Sequence, residues 1–139
     1  MPLSWIQYFT ALVLNTSLAP IRLVAETLTD QDASIGATSL DIGTTSSGFF
    51  RVTARARISR AATTNSSLEV VIGWTESGLN PTYTIIPAIT GNTTTSNDSG
   101  SVVVLIDSAS PITYSTTYAS TGATAMQYTV TFIVEQINA

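Results

Sequence analysis

Between Phe50 and Ile58 every second residue is apolar, and this strict alternation constrains the fold more than any other feature of the chain. Phe50, Val52, Ala54, Ala56 and Ile58 point one way, while Arg51, Thr53, Arg55, Arg57 and Ser59 point the other. A helix would scatter these two sets around its axis. Only an extended strand, with side chains projecting to alternate faces, collects them into a core face and a polar face.

The same period recurs to the C-terminus. Leu68, Val70, Ile72 and Trp74 alternate after a turn rich in Thr, Asn and Ser at Ala61 to Ser67, and the pair is expected to form neighbouring strands. Tyr83 to Ile89 carries Pro87, which removes a ladder donor and so predicts an edge or a bulge. Val102 to Ile106 is continuously apolar, as in a strand covered on both faces. Ile112, Tyr114, Thr116 and Tyr118 alternate, as do Met126, Tyr128, Val130, Phe132 and Val134 in a last strand running from about Met126 to Ile137. Pro20 to Leu28 and a short Leu40 to Ile42 complete a set of seven or eight strands. That number, joined by Gly, Ser, Thr and Asn turns, predicts an all-β chain folded as a single β-sandwich. A jelly roll is favoured over an immunoglobulin-like sandwich, because no Cys-Trp-Cys pattern occurs. The sandwich domain is assigned to residues 20–139.

Residues 1–19 differ. Trp5, Tyr8, Phe9, Leu12 and Val13 follow helical spacing, and this stretch is read as an N-terminal arm or docking segment. It fits neither an export signal, since no positive residue precedes its apolar run, nor a membrane span, for which the run is too short and interrupted.

Composition narrows the chemistry. The 139 residues contain no His, Cys or Lys, only nine carboxylates and five arginines. The groups that most enzymes recruit for proton transfer, nucleophilic attack or metal binding near neutral pH are therefore missing. No disulfide or thiolate site is possible. A net charge of −4 argues against nucleic acid, whose phosphates require clustered cations. With hydrophobic residues at 44% and charged residues at 10%, much of the surface must be neutral hydroxyl or covered by partners.

Few constellations remain. Asp30, Asp32, Ser34, Thr38 and Asp41 echo a calcium loop, but Ile35 stands where the loop needs glycine, so a polar turn is expected and no metal or cofactor is assigned. Glu69 and Glu76, the acids nearest an aromatic in Trp74, are a thin basis for glycosidic chemistry. Four Asn-X-Ser/Thr sequons carry no weight in a chain this rich in hydroxyls. Arg51, Arg55 and Arg57 share one strand face with Arg60 just beyond, which makes this stripe the best charged contact surface on offer.

Ser47-Gly48-Phe49-Phe50-Arg51-Val52, Ile72-Gly73-Trp74-Thr75, and Tyr118 to Tyr128 leading into the final strand resemble segments of small β-sandwich proteins of tailed bacteriophages. The resemblance implies a virion component with a jelly-roll or tumour-necrosis-factor-like sandwich. Such proteins commonly form trimers, as capsid decoration (cement) proteins or as parts of fibres. The absence of a heptad or glycine-repeat shaft favours decoration.

The reading is thus a non-enzymatic decoration protein, made in the host cytoplasm and bound to the capsid exterior, with no nucleic-acid or membrane partner. It is expected to form a homotrimer that clamps adjacent major capsid protein subunits. Trp5, Tyr8 and Phe9 are the expected apolar anchors, with Arg51, Arg55 and Arg57 as a second contact set. The alternative is a receptor-binding tip or fibre domain in which Tyr83, Tyr114, Tyr118 and the loops Ala61 to Ser67 and Thr90 to Ser99 face a host glycan.

Overall fold

The computed structural model describes residues 19–43 and 47–138, and among them there is no helix. Eight strands form: β1 (Ile21–Gln31), β2 (Thr38–Leu40), β3 (Gly48–Arg60), β4 (Asn65–Gly73), β5 (Thr82–Thr90), β6 (Asn97–Ile106), β7 (Ile112–Thr121) and β8 (Gln127–Asn138). They pair into two four-stranded sheets, ordered β1-β8-β3-β6 and β2-β7-β4-β5. Every pairing is antiparallel. Two such sheets face to face, with the chain passing repeatedly between them, form a jelly-roll sandwich.

The alternating residues of β3 are buried as the sequence predicts, and the inward side chains of β8 meet them across the ladder. Ala54 is paired with Phe132, Ala56 with Val130 and Ile58 with Tyr128. Placing the two small residues beside bulky or branched partners lets the central pair interdigitate without voids. From the other sheet Leu68, Val70, Ile72, Ile112 and Tyr114 close the core, and the rings of Tyr114 and Phe132 stand 4.4 Å apart.

Three strand expectations change. β3 and β4 do not neighbour one another. They belong to different sheets and contribute to the core from opposite sides. Alternation reports which residues are buried, and it is blind to which sheet buries them. Val102 to Ile106 is not covered on both faces: β6 is a sheet edge, Val104 and Ile106 point inward, and Val103 is 54% exposed. The short second strand lies at Thr38–Leu40, two residues before the expected Leu40 to Ile42. Pro87 behaves as predicted, since β5 is an edge strand whose register against β4 shifts twice.

Two local devices hold the sandwich in shape. Where β5 and β6 approach, Gly100 faces the backbone of Ile85 so closely that a Cβ would lie 2.0 Å from the Ile85 carbonyl oxygen. At the opposite side a chain of hydroxyls ties down the loop between β1 and β2. The Ile35 N–H donates to Thr116 Oγ1 at 2.8 Å, Thr116 lies 2.7 Å from Tyr128 Oη, and Tyr128 donates to the Ala33 carbonyl at 2.8 Å. With the phenol proton directed at Ala33, the Thr116 proton goes to Tyr128. Burial pushes the Tyr128 phenol above its usual pKa, so it remains this donor throughout the neutral range.

Two outcomes are expected. Gly100→Ala must force β5 and β6 apart and should cost about 1–3 kcal/mol, read as a lower urea midpoint. Thr116→Val, which keeps the shape but removes the middle of the buried chain, should cost about 1–3 kcal/mol and also raise the Tyr128 pKa further in a spectrophotometric titration.

Candidate interaction face

The arginine stripe lies on the outer surface of the β1-β8-β3-β6 sheet, where register sets its surroundings. Read from β1 to β6, the outward rows are Arg22, Glu135, Arg51, Val103; then Ala25, Ile133, Thr53, Ser101; then Thr27, Thr131, Arg55, Ser99; and on three strands Thr129, Arg57, Asn97. Arg51, Arg55 and Arg57 are therefore neighbours on one face, as expected from their spacing.

Their roles separate. Arg51 donates to Glu135 Oε2 at 3.5 Å, with side chains 43% and 30% exposed. A pair this open to solvent contributes at most about 1 kcal/mol. It is the one ion pair among the described residues. Arg55 and Arg57 are exposed and flanked by hydroxyl and amide side chains instead of carboxylates. Arg60 turns to the loop between β7 and β8, where its Nε donates to the Ala125 carbonyl at 2.9 Å. Cross-strand hydroxyl pairs, Thr27 with Thr131 at 3.0 Å and Thr53 with Ser101 at 3.2 Å, finish the surface. The result is a face of hydroxyls and guanidinium forks on which, among the described residues, Arg22, Arg55 and Arg57 make no ion pair and Arg55 and Arg57 have no carboxylate beside them in register. Such forks suit carboxylates or main-chain carbonyls of a protein partner.

Trp5, Tyr8 and Phe9 lie outside the described residues.

The aromatic set of the glycan-binding alternative does not assemble. Tyr83 is 47% exposed, but Tyr114 is only 3% exposed and stacks on Phe132. Tyr118 is half-buried and donates to the Met126 carbonyl at 2.9 Å. The two polar loops do meet, through Ala62 N–H to the Gly91 carbonyl at 2.9 Å and Asn92 Nδ2 to the Thr64 carbonyl. Tyr83, in register with Ile72, sits at the far end of β4 from them.

Three members of the calcium-like loop are engaged with the backbone. Ser34 Oγ accepts from the Tyr118 N–H, Thr38 Oγ1 donates to the Gly36 carbonyl and Asp41 Oδ1 accepts from Gly43 N–H. Among the described residues no three potential metal ligands converge. Glu76, beyond the end of β4, accepts from Trp74 Nε1 at 3.1 Å, while Glu69 lies within β4 in register with Thr117.

A feature with little signature in the sequence is the hairpin between β4 and β5. Glu76 and Leu79 exchange two backbone hydrogen bonds of 2.9 Å around Ser77 (φ 53°) and Gly78 (φ 74°), a turn whose positive dihedrals match the strand twist. Asp107, from the loop after β6, accepts the N–H of both Ser77 and Gly78 at 2.9 Å. Ser77-Gly78 signals a turn. The carboxylate that braces it is thirty residues downstream and could not be assigned without the fold. Three clefts gather at this end, of about 280, 250 and 630 Å³, and their linings combine hydroxyls and prolines with Leu40, Ile42, Trp74 and Leu79.

The Gly78 and Ser77 amides hold the exposed Asp107 carboxyl below its ordinary pKa of 3.8. Its support of the turn is complete above 3.8, the unfolded value, and is lost as pH falls through the lower, folded value. The Ser77 and Gly78 amide resonances should accordingly titrate with a midpoint below 3.8. A midpoint at or above that value would place the carboxylate elsewhere.

No family model matches the sequence, and no curated protein matches it. Among solved structures the chain is similar to a chain of infectious bursal disease virus, Gx strain, at 10% identity and a TM-score of 0.51. That match covers 84% of this chain and 32% of the other, so this chain spans about a third of its length. It is also similar to the PRD1 vertex protein P5, at 14% identity and a TM-score of 0.49 over 86% of this chain and 99% of that one. A third similarity is to the CBM22-1 xylan-binding domain of Paenibacillus barcinonensis Xyn10C, at 11% identity and 0.49 over 88% and 99%. At 10% identity the similarity to the virus chain is one of fold alone.

Proposed function

We propose that this chain is a structural, non-enzymatic component of a virus particle, a decoration protein on the capsid exterior. The observation that carries the reading is the outer face of the β1-β8-β3-β6 sheet. It is an open sheet surface whose outward rows carry Arg22, Arg51, Arg55 and Arg57 against the carboxylate of Glu135, so it is locally basic on a chain of net charge −4, and Arg55 and Arg57 have no carboxylate beside them in register. A surface of this kind suits a protein lattice better than a small molecule, because it offers area and a few forked donors with no enclosing walls. Fold-level similarity to a chain from a virus structure supports the same direction through the sandwich alone.

In this reading the sandwich assembles as a homotrimer whose copies present their arginine rows to adjacent major capsid protein subunits. Each contact is modest. Three held in one body raise the effective concentration of the second and third contacts, so weak single attachments become durable. Clamping neighbouring subunits in this way resists the outward load of packaged genome. The chemistry required is burial and hydrogen bonding, for which hydroxyls and arginines suffice, and the chain synthesised in the host cytoplasm joins the particle after folding.

The test is co-sedimentation of the purified chain with capsids assembled without it, after light scattering has given its mass. Saturable binding by a trimer is expected, and Arg55→Glu/Arg57→Glu should weaken it at least tenfold with the urea midpoint unchanged. Capsids that leave the wild-type chain in the supernatant would overturn the reading.

A further inference from the structure

At one end of the same face the sandwich leaves an apolar patch open. Phe49 and Leu105 are direct cross-strand partners, and Val103 lies on that face two residues from Leu105. Phe49 is 46% and Val103 54% exposed, whereas their chain neighbours Phe50 and Val104 are buried in the core. Isolated exposed apolar residues are ordinary, but adjacent ones on an open sheet face call for a cover.

The chain itself carries a matching cover. Residues 1–18 contain no charged side chain and include Trp5, Ile6, Tyr8, Phe9, Leu12 and Val13. They lead through exposed Ala19 and Pro20 into Ile21. Ile21 belongs to the row Gln136, Phe50 and Val104, immediately beside Phe49 and Leu105, so the segment joins the sheet at the end where the patch lies. From β1 across to β6 is three inter-strand spacings, about 14 Å, a distance roughly five extended residues can span. About a dozen residues are then left to lie on the patch, among them the aromatic cluster. Tethering favours this chain's own patch over that of another molecule, because a short linker holds the segment at an effective concentration in the millimolar range.

We propose that residues 1–18 fold back across the β1-β8-β3-β6 sheet and seat Trp5, Tyr8 and Phe9 on Phe49, Val103 and Leu105 of their own sandwich. The aromatics then serve as an intramolecular cover instead of capsid anchors. Arg55 and Arg57, further along the strand, stay open for a partner. This arrangement is independent of the virion reading and is tested on the free protein.

The cysteine-free chain allows a direct experiment. Full-length variants Trp5→Cys/Val103→Cys, Phe9→Cys/Val103→Cys and Leu12→Cys/Val103→Cys are oxidised at low concentration, then assayed by thiol titration and non-reducing electrophoresis. Bridging requires the two Cα atoms to come within about 7 Å. At least one pair should lose its thiols quickly while running at the mass of a single chain. The control Phe9→Cys/Thr84→Cys, aimed at an exposed residue of the other sheet, should remain reduced. Covalent dimers or trimers would overturn the proposal by seating the segment on a second copy. It also fails if all three pairs oxidise no faster than the control.

Discussion

The pairing of β3 with β8 is the constraint on which the remaining structure depends. These are the two longest strands, they lie side by side in the middle of one sheet, and each contributes an unbroken inward row. Because side chains alternate with a period of two, a slip of one residue would set the inward row of one strand against the outward row of the other, turning Phe50 and Val52 to solvent and arginines into the core, or else turning out Phe132 and Val134. The register is therefore fixed by burial along its whole length. That same register, read from the other side, sets the positions of Arg51, Arg55 and Arg57. The interaction face is a by-product of core packing, held as rigidly as the core itself.

Much of the strand pattern was legible from residue order because it rests on burial alone. The inward sets of β3, β4, β7 and β8 and the shared face of the three arginines follow from alternation, and the edge position at Pro87 follows from its missing ladder donor. Sheet membership was not legible: Ala61 to Thr64 carries the chain from one sheet to the other, and nothing in its composition distinguishes that crossing from a hairpin. The edge position of β6 was also hidden, since an apolar run looks the same whether its outer face is covered or, as at Val103, open. Least visible were contacts between residues far apart in the chain. Thr116, Tyr128 and Ala33 form one buried polar chain, and Asp107 braces a turn thirty residues before it. Each residue is unremarkable in its own segment, and only the fold makes it a partner.

The surface explains how a chain so poor in charge remains workable as a protein. Hydroxyls pair across strands or with backbone, leaving a skin whose polarity is mostly neutral. Against it Arg55 and Arg57 and the open patch at Phe49 and Val103 stand out as two ends of one face with opposite character. One end is suited to carboxylates and carbonyls, the other to apolar side chains. In the arrangement proposed above the chain's own residues 1–18 take the apolar end, and the arginine end is what a partner meets.

The topology has a consequence for synthesis. β1 is paired in its sheet with β8 alone, joining Ile21 to Gln136 across almost the entire described chain. Of the seven connections between consecutive strands, six cross between sheets, and the β4–β5 link alone stays within one. As the polypeptide leaves the ribosome, β1 must wait for its sheet partner until β8 has emerged. Closure is then expected to be slow and all-or-none, since the non-local pairings bear the loop-closure entropy before any of them is rewarded. Productive maturation would depend on keeping that early strand away from other nascent chains during the delay.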